Sequence, residues 1–199
     1  MPGDDALGLS LWLCPPPTSP IYAALESLIA ELSDDCFGGA APKFSPHVTI
    51  TSNIPLDTDA NAVVEYAAKI NERLKIQVAH VAYGPAFFKK IYLRIAKRPD
   101  LVRLASEVRR EYVYLAAENL PAQEADEKAR AWEANDFDPH LSLVYSDEWP
   151  ISDDKKTYIE GRLDKLFSET DETWVGGRIS LVKTVGPADN WPVLAYKDL

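Results

Sequence analysis

Cysteine, histidine, positive charge and long apolar runs are all scarce in this chain, and each scarcity closes a class of function. Cys14 and Cys36 are the only cysteines among 199 residues, so there is neither a disulfide framework nor a thiolate metal cluster. They read as reduced thiols of an intracellular protein. No apolar stretch approaches the ~18 residues that span a bilayer, so no membrane is expected as a partner. The opening MPGDDALGLSLWL carries acid where a secretory leader carries base, which points to a soluble, cytoplasmic chain. The 21 Lys plus Arg face 31 Asp plus Glu, for a net charge of −10. A protein that tracks a long nucleic acid needs a basic stripe, and this one has none. A small anionic ligand stays open, because a pocket can be locally positive on an acidic protein.

Of only 3 histidines, two stand in the same setting. His47-Val48-Thr49 and His140-Leu141-Ser142 each follow a proline, Pro46 or Pro139, and each runs into strand-like residues, HVTITSNI and HLSLVY. Side chains at i and i+2 of a strand share a face, so each tripeptide aims an imidazole and a hydroxyl at one space. The central Val48 or Leu141 points into the core. A lone strand histidine is usually a structural residue; the pair is what counts. With 20 Ser plus Thr in the chain, two of three histidines gain a hydroxyl at i+2 by chance in roughly 3% of such sequences. Two such strands brought face to face present acid and base to a phosphate without a metal. His80, followed by Val81-Ala82, lacks the hydroxyl and reads as structural.

The remaining pattern is that of a single α+β domain over 1–199, with 46% hydrophobic residues to bury. Leu7 to Leu13 alternates as a half-buried strand ended by Pro15-Pro16-Pro17. Thr18 is expected to cap a helix with Ile21, Leu25, Leu28, Ile29 and Leu32 inward. A strand over 47–54 and a helix from Thr58 follow, then paired strands at 75–83 and 90–96 around Gly84-Pro85-Ala86. A third helix starts near Asp100, and 119–135 reads as a surface loop or short helix. After a strand at 139–145 comes a helix over 153–167, with Tyr158, Ile159, Leu163 and Leu166 inward. Strands at 178–185 and 191–197 then flank Gly186-Pro187-Ala188. Motif strand, helix, strand, Gly-Pro-Ala turn, strand thus occurs twice, over about 44–97 and about 136–199. The strand and helix of 7–34 complete the lobes. The repeat predicts two similar lobes related by a pseudo-two-fold axis, each an antiparallel sheet with helices outside. The axis places both motifs at one central cleft.

At this level of detail the chain resembles the 2H phosphoesterase superfamily, and within it the cyclic phosphodiesterase family of fungi and plants. LWLCPPP at 11–17, FSPHVTITSNI at 44–54, FFKKIYL at 87–93, WEANDFDPHLSLVYSD at 132–147 and VGPADNWPVLAYKDL at 185–199 carry the resemblance. It implies cofactor-free and metal-free opening of ADP-ribose 1″,2″-cyclic phosphate to the 1″-phosphate and of nucleoside 2′,3′-cyclic phosphates to 2′-phosphates. These substrates are small nucleotides left by tRNA splicing. It implies His140 as base and His47 as acid, with Thr49 and Ser142 as phosphate donors. It also puts Trp12 on the substrate cavity and Tyr145 in the site, although plain alternation turns Tyr145 away unless a bulge or the strand end redirects it. Phe87 and Phe88 are either hairpin packing or a stacking wall for a base, with Phe88 the nearer candidate. Only one of Lys89 and Lys90 can face the cleft in a strand. Trp132 and Trp191 read as packing. A monomer is expected, and the resemblance also admits association with the Golgi. The alternatives are another 2H activity on RNA ends, or a catalytically silent nucleotide-binding module.

Overall fold

The computed structural model describes residues 8–70 and 73–199, so Leu7 lies outside the described residues. Strand β1 (Leu9–Cys14) stops at Pro15, where the ladder loses an amide donor. It is buried on both faces, not half-buried, because Trp12 lies under His47 and the Ser10 and Thr184 hydroxyls are hydrogen-bonded at 2.9 Å. Helix α1 (Pro20–Phe37) is capped by Ser19, not Thr18: the Tyr22 amide donates to the Ser19 hydroxyl. Pro20 at the first helical position fixes that start. Next come β2 (Val48–Ile54), α2 (Ala60–Ile70), and a hairpin of β3 (Lys75–Tyr83) and β4 (Ile91–Ile95). Helix α3 (Pro99–Arg109) passes into a π-helical turn over Arg110–Leu115. Residues Ala122–Asn135 form a full helix, α4, burying only Ala125 and Ala129; so small an apolar stripe is why the sequence left it open. After β5 (His140–Val144) comes α5 (Asp153–Glu169), on which Tyr158 is exposed and donates to Asp35 instead of packing inward. The chain ends with the short β6 (Thr173–Val175), which sequence analysis missed, and a hairpin of β7 (Arg178–Lys183) and β8 (Val193–Asp198).

The strands form one sheet in the order β6-β3-β4-β5-β2-β1-β7-β8, with every pairing antiparallel. The two four-stranded lobes meet where β2 pairs with β5 at Val48 and Leu141. Those are the middle residues of the two motifs, so the pseudo-two-fold passes between them. The connectivity is exchanged between lobes. The β3–β4 hairpin, which follows the first motif, pairs with the second motif strand; β7–β8, which follows the second, pairs with β1 beside the first. Each lobe is therefore built from both halves of the sequence.

Both motif strands carry a bulge at the same place. Trp12 pairs with Thr49 and Leu11 with Thr51, which leaves Ile50 extra; Tyr92 pairs with Ser142 and Ile91 with Val144, which leaves Leu143 extra. Three residues past each histidine the alternation is thus reset. Thr51 turns to the helix side, where Arg109 donates to its hydroxyl at 3.1 Å, and Val144 joins the core. The shift also returns Tyr145 to the cleft side.

Leu141 is fully buried at the junction of the lobes. Leu141→Ala should cost about 2–5 kcal/mol in urea unfolding, as transfer and cavity terms add. A loss below about 1 kcal/mol would show that the junction is not load-sharing.

Candidate active site

His47 precedes β2 and His140 opens β5, and the antiparallel pairing at Val48 and Leu141 sets His47 on the Ser142 side and Thr49 on the His140 side. Both imidazoles are held alike. His47 Nδ1 lies 2.7 Å from the Ser45 carbonyl, and His140 Nδ1 lies 2.8 Å from the Asp138 carbonyl. A carbonyl can only accept, so Nδ1 carries the proton and Nε2 keeps the lone pair for chemistry. Pro46 and Pro139 hold the chain extended between each histidine and its carbonyl partner, and this explains the Pro-His pairs of the sequence.

Burial pulls His47 down from 6.5 to about 4, with the Ser45 carbonyl opposing and the His140 charge adding to the fall. Burial also lowers His140 to about 4; the Asp138 carbonyl opposes, Lys89 and Arg94 reinforce, and the Asp138 carboxylate opposes. Both rings are thus neutral at pH 7 in the free protein, contrary to the near-6.5 value an isolated imidazole has. The hydroxyls differ. Ser142 is buried and donates to the Phe88 carbonyl at 2.8 Å, whereas Thr49 is half-buried with no hydrogen bond among the described residues.

An aromatic group covers the His47 side. Trp12 stacks on His47 with ring centres 3.6 Å apart, and Trp191 lies 6.0 Å from Trp12 and 5.8 Å from Phe88. Tyr145 stacks on Phe44 at 4.0 Å and meets the Phe88 ring edge-to-face at 5.1 Å. Burial raises the Tyr145 phenol, with the Ser142 hydroxyl beside it working against that rise. Below Trp12 a cavity of about 430 Å³ opens between Phe44, Ser45, Arg178, Ser180 and Trp191. Phe44 and Trp191 were not singled out as site residues. The sequence alone marks Trp191 as packing, because nothing in a linear pattern places residue 191 against β1. Trp132 does pack, against Phe137 and Arg109. His80 is exposed on β3.

The His140 side is cationic. Residues Phe87–Lys89 form a 3₁₀ turn, not a strand, so the two lysines part differently from the expected alternation. Lys89 bonds the Asp138 carboxylate at 2.8 Å, while Lys90 is fully buried and donates to the Pro85 carbonyl at 2.9 Å. Gly84 allows this turn, since a Cβ there would meet the Lys89 carbonyl oxygen at 2.7 Å. Among the described residues, no group of three or more His, Cys, Asp or Glu is placed to hold a metal ion, and no helix is long and apolar enough to cross a membrane.

Two lobes about a pseudo-two-fold, with a His-x-hydroxyl strand from each meeting at the axis, define a 2H phosphoesterase. Within that class the chain belongs to the cyclic phosphodiesterase family, since residues 7–199 match the model described as cyclic phosphodiesterase-like protein. A 2′,3′-cyclic-nucleotide 3′-phosphodiesterase of Yarrowia lipolytica is 37% identical over 96% of this chain and 100% of its own length. The protein of the same name from Candida albicans is 29% identical over 97% of this chain and 100% of its own. The crystal structure of E. coli LigT in apo form shares the fold, with a TM-score of 0.53 at 11% identity over 96% of this chain and 95% of that one.

Two histidines depressed from 6.5 to about 4 refuse protons that the unfolded chain accepts. Their contribution should be complete above pH 6.5 and should erode as pH falls toward 4. Thermal melts across that window will show the slope, and His47→Gln/His140→Gln should be less pH-dependent than the parent. An unchanged slope would mean the rings are not held neutral.

Proposed function

We propose that the chain hydrolyses cyclic phosphates of small nucleotides without a metal ion, opening nucleoside 2′,3′-cyclic phosphates to 2′-phosphates and ADP-ribose 1″,2″-cyclic phosphate to the 1″-phosphate. These substrates place it among the reactions that consume by-products of tRNA splicing. The observation that carries the reading is the matched pair of imidazoles, each with Nδ1 tied to a carbonyl and Nε2 left for the substrate. The names and near-complete coverage of the fungal relatives support it.

In the reaction, one imidazole takes a proton from water as the water oxygen bonds to phosphorus. The bond to the departing sugar oxygen breaks on the far side, and the second imidazole protonates that oxygen. The pair needs one proton between them, while the free protein holds none at pH 7. The incoming phosphate supplies the reason to bind it, since its negative charge raises both rings. Lys89 and Arg94 disfavour charge on His140, so the proton resides on His47. His140 is then the base and His47 the acid. Thr49 has its hydroxyl free to donate to a non-bridging oxygen, whereas Ser142 must leave the Phe88 carbonyl or share with it. The nucleoside lies against Trp12, Phe88 and Tyr145, with the cavity beside Trp12 as its room. Trp12 also caps His47 from water.

His47→Ala and His140→Ala should each lower kcat on 2′,3′-cyclic AMP by about 10²–10⁴-fold. On an activated phosphodiester, whose leaving group needs no proton, His47→Ala should recover and His140→Ala should not. Equal loss in both would refute the assignment of roles. Activity should survive EDTA; restoration by zinc or manganese after a loss would refute the metal-free mechanism. The acid-side pKa should be higher in kcat than in kcat/KM, because only the former reports the phosphate-bound rings. Coincident profiles would remove the phosphate as the source of the proton affinity.

A further inference from the structure

Lys89, Arg94 and Asp138 form a charged group on the His140 side whose positive charge exceeds what its carboxylate neutralises. Asp138 accepts from Lys89 Nζ through one oxygen and from Arg94 Nη1 through the other, each at 2.8 Å. One carboxylate against two cations leaves a surplus of one positive charge, on a chain whose net charge is −10. Burial works against ionisation of Asp138, yet Lys89 and Arg94 hold its carboxyl below the usual range, so Asp138 stays a carboxylate.

The triad is tied to the site by backbone and by ring. The Asp138 carbonyl is the one that holds His140 Nδ1, and Arg94 pairs with His140 across β4 and β5. Both cations lie over the Tyr92 ring, at 5.4 Å for Lys89 and 5.7 Å for Arg94, and Tyr92 meets the His140 ring edge-on at 5.4 Å. The Lys89 and Arg94 side chains keep 32% and 41% of their surface open to solvent, so their remaining donors can reach a ligand. The other lobe differs: Ser45 stands where Asp138 does relative to its histidine, aromatic rings surround His47, and the cations that line the cavity there, Lys43 and Arg178, each pair with a carboxylate of their own, Asp34 and Asp198. A near-symmetric pair of motifs thus sits between one aromatic wall and one cationic wall.

The geometry points to Lys89 and Arg94 as a second anion site, which takes a further phosphate ester on the 5′ side of the nucleotide whose cyclic phosphate lies between the histidines. This rests on the proposed hydrolysis and adds the residues that would read a 5′-side phosphate, a group that ADP-ribose cyclic phosphate also carries and 2′,3′-cyclic AMP lacks. Base and 5′ group leave a ribose from C1′ and C4′, so both walls can be engaged at once. Arg94 offers a planar fork and Lys89 a point charge, the usual partners of a phosphate.

The test compares kcat/KM for three substrates: adenosine 2′,3′-cyclic phosphate, the same compound with a 5′-phosphate, and the dinucleotide ApA ending in a 2′,3′-cyclic phosphate. In the parent the 5′-phosphate should raise kcat/KM at least about tenfold, the worth of one charge-assisted hydrogen bond. Lys89→Gln and Arg94→Gln should each lose most of that ratio, and Lys89→Arg should keep most of it. Lys165→Gln on α5, which removes the same charge elsewhere, should keep it in full. A ratio near one in the parent, or one that persists in both Gln variants, overturns the second site while leaving the hydrolysis intact. A gain confined to the dinucleotide overturns it too, by making an RNA end the ligand. No turnover of any of the three overturns the hydrolysis itself.

Discussion

Val48 and Leu141 pair at the junction of two lobes, and the candidate active site exists because of where that pair falls. A strand pair of opposite sense, registered on the central residue of each motif, carries every imidazole and hydroxyl into one space. A slip of one residue would turn each histidine to the opposite face. Branched apolar side chains, both fully buried, oppose that slip, because exposing them forfeits the core. The bulges at Ile50 and Leu143 turn Thr51 and Val144 away from the cleft, and the second brings Tyr145 back to it.

Symmetry in the backbone coexists with asymmetry in the surroundings, and the proposed chemistry requires both. Matched carbonyl bonds at Nδ1 give two rings of one tautomer and similar basicity. Hydrolysis needs the rings to differ, since one must give what the other takes. Burial cannot distinguish them, as it lowers both. The difference comes from neighbours: stacked indole beside His47, ammonium and guanidinium beside His140.

How much could be read from the sequence follows from the range of each cause. His47, Thr49, His140 and Ser142 were visible because strand periodicity and a proline are local, and the structure brings all four to one junction. The elements with strong periodicity stood out for the same reason, with errors at caps and short strands, where Pro20 or a three-residue pairing decides. Tyr145 was legible only as a contradiction, and the bulge that resolves it is a property of the β4–β5 pair, not of β5 alone. Phe44, Trp191 and the Lys89–Asp138–Arg94 group arise from contacts between segments far apart in the chain. Repeat order suggested lobes made of successive halves; strand pairing, which the order of elements leaves free, crosses them instead.

That crossing bears on how the protein is made. A ribosome delivers β1 and β2 early, yet the strand on the far side of β1 is β7, close to the end of the chain. The hairpin after the first motif has to wait for β5. Neither lobe can close during synthesis of its own half, so the sheet is completed only once β7 and β8 have emerged. Contacts of such long sequence separation slow folding and leave open strand edges in the interim. A chain cut between the motifs would therefore lack part of both lobes, and fragments with one of the two motif histidines should not accumulate as folded species.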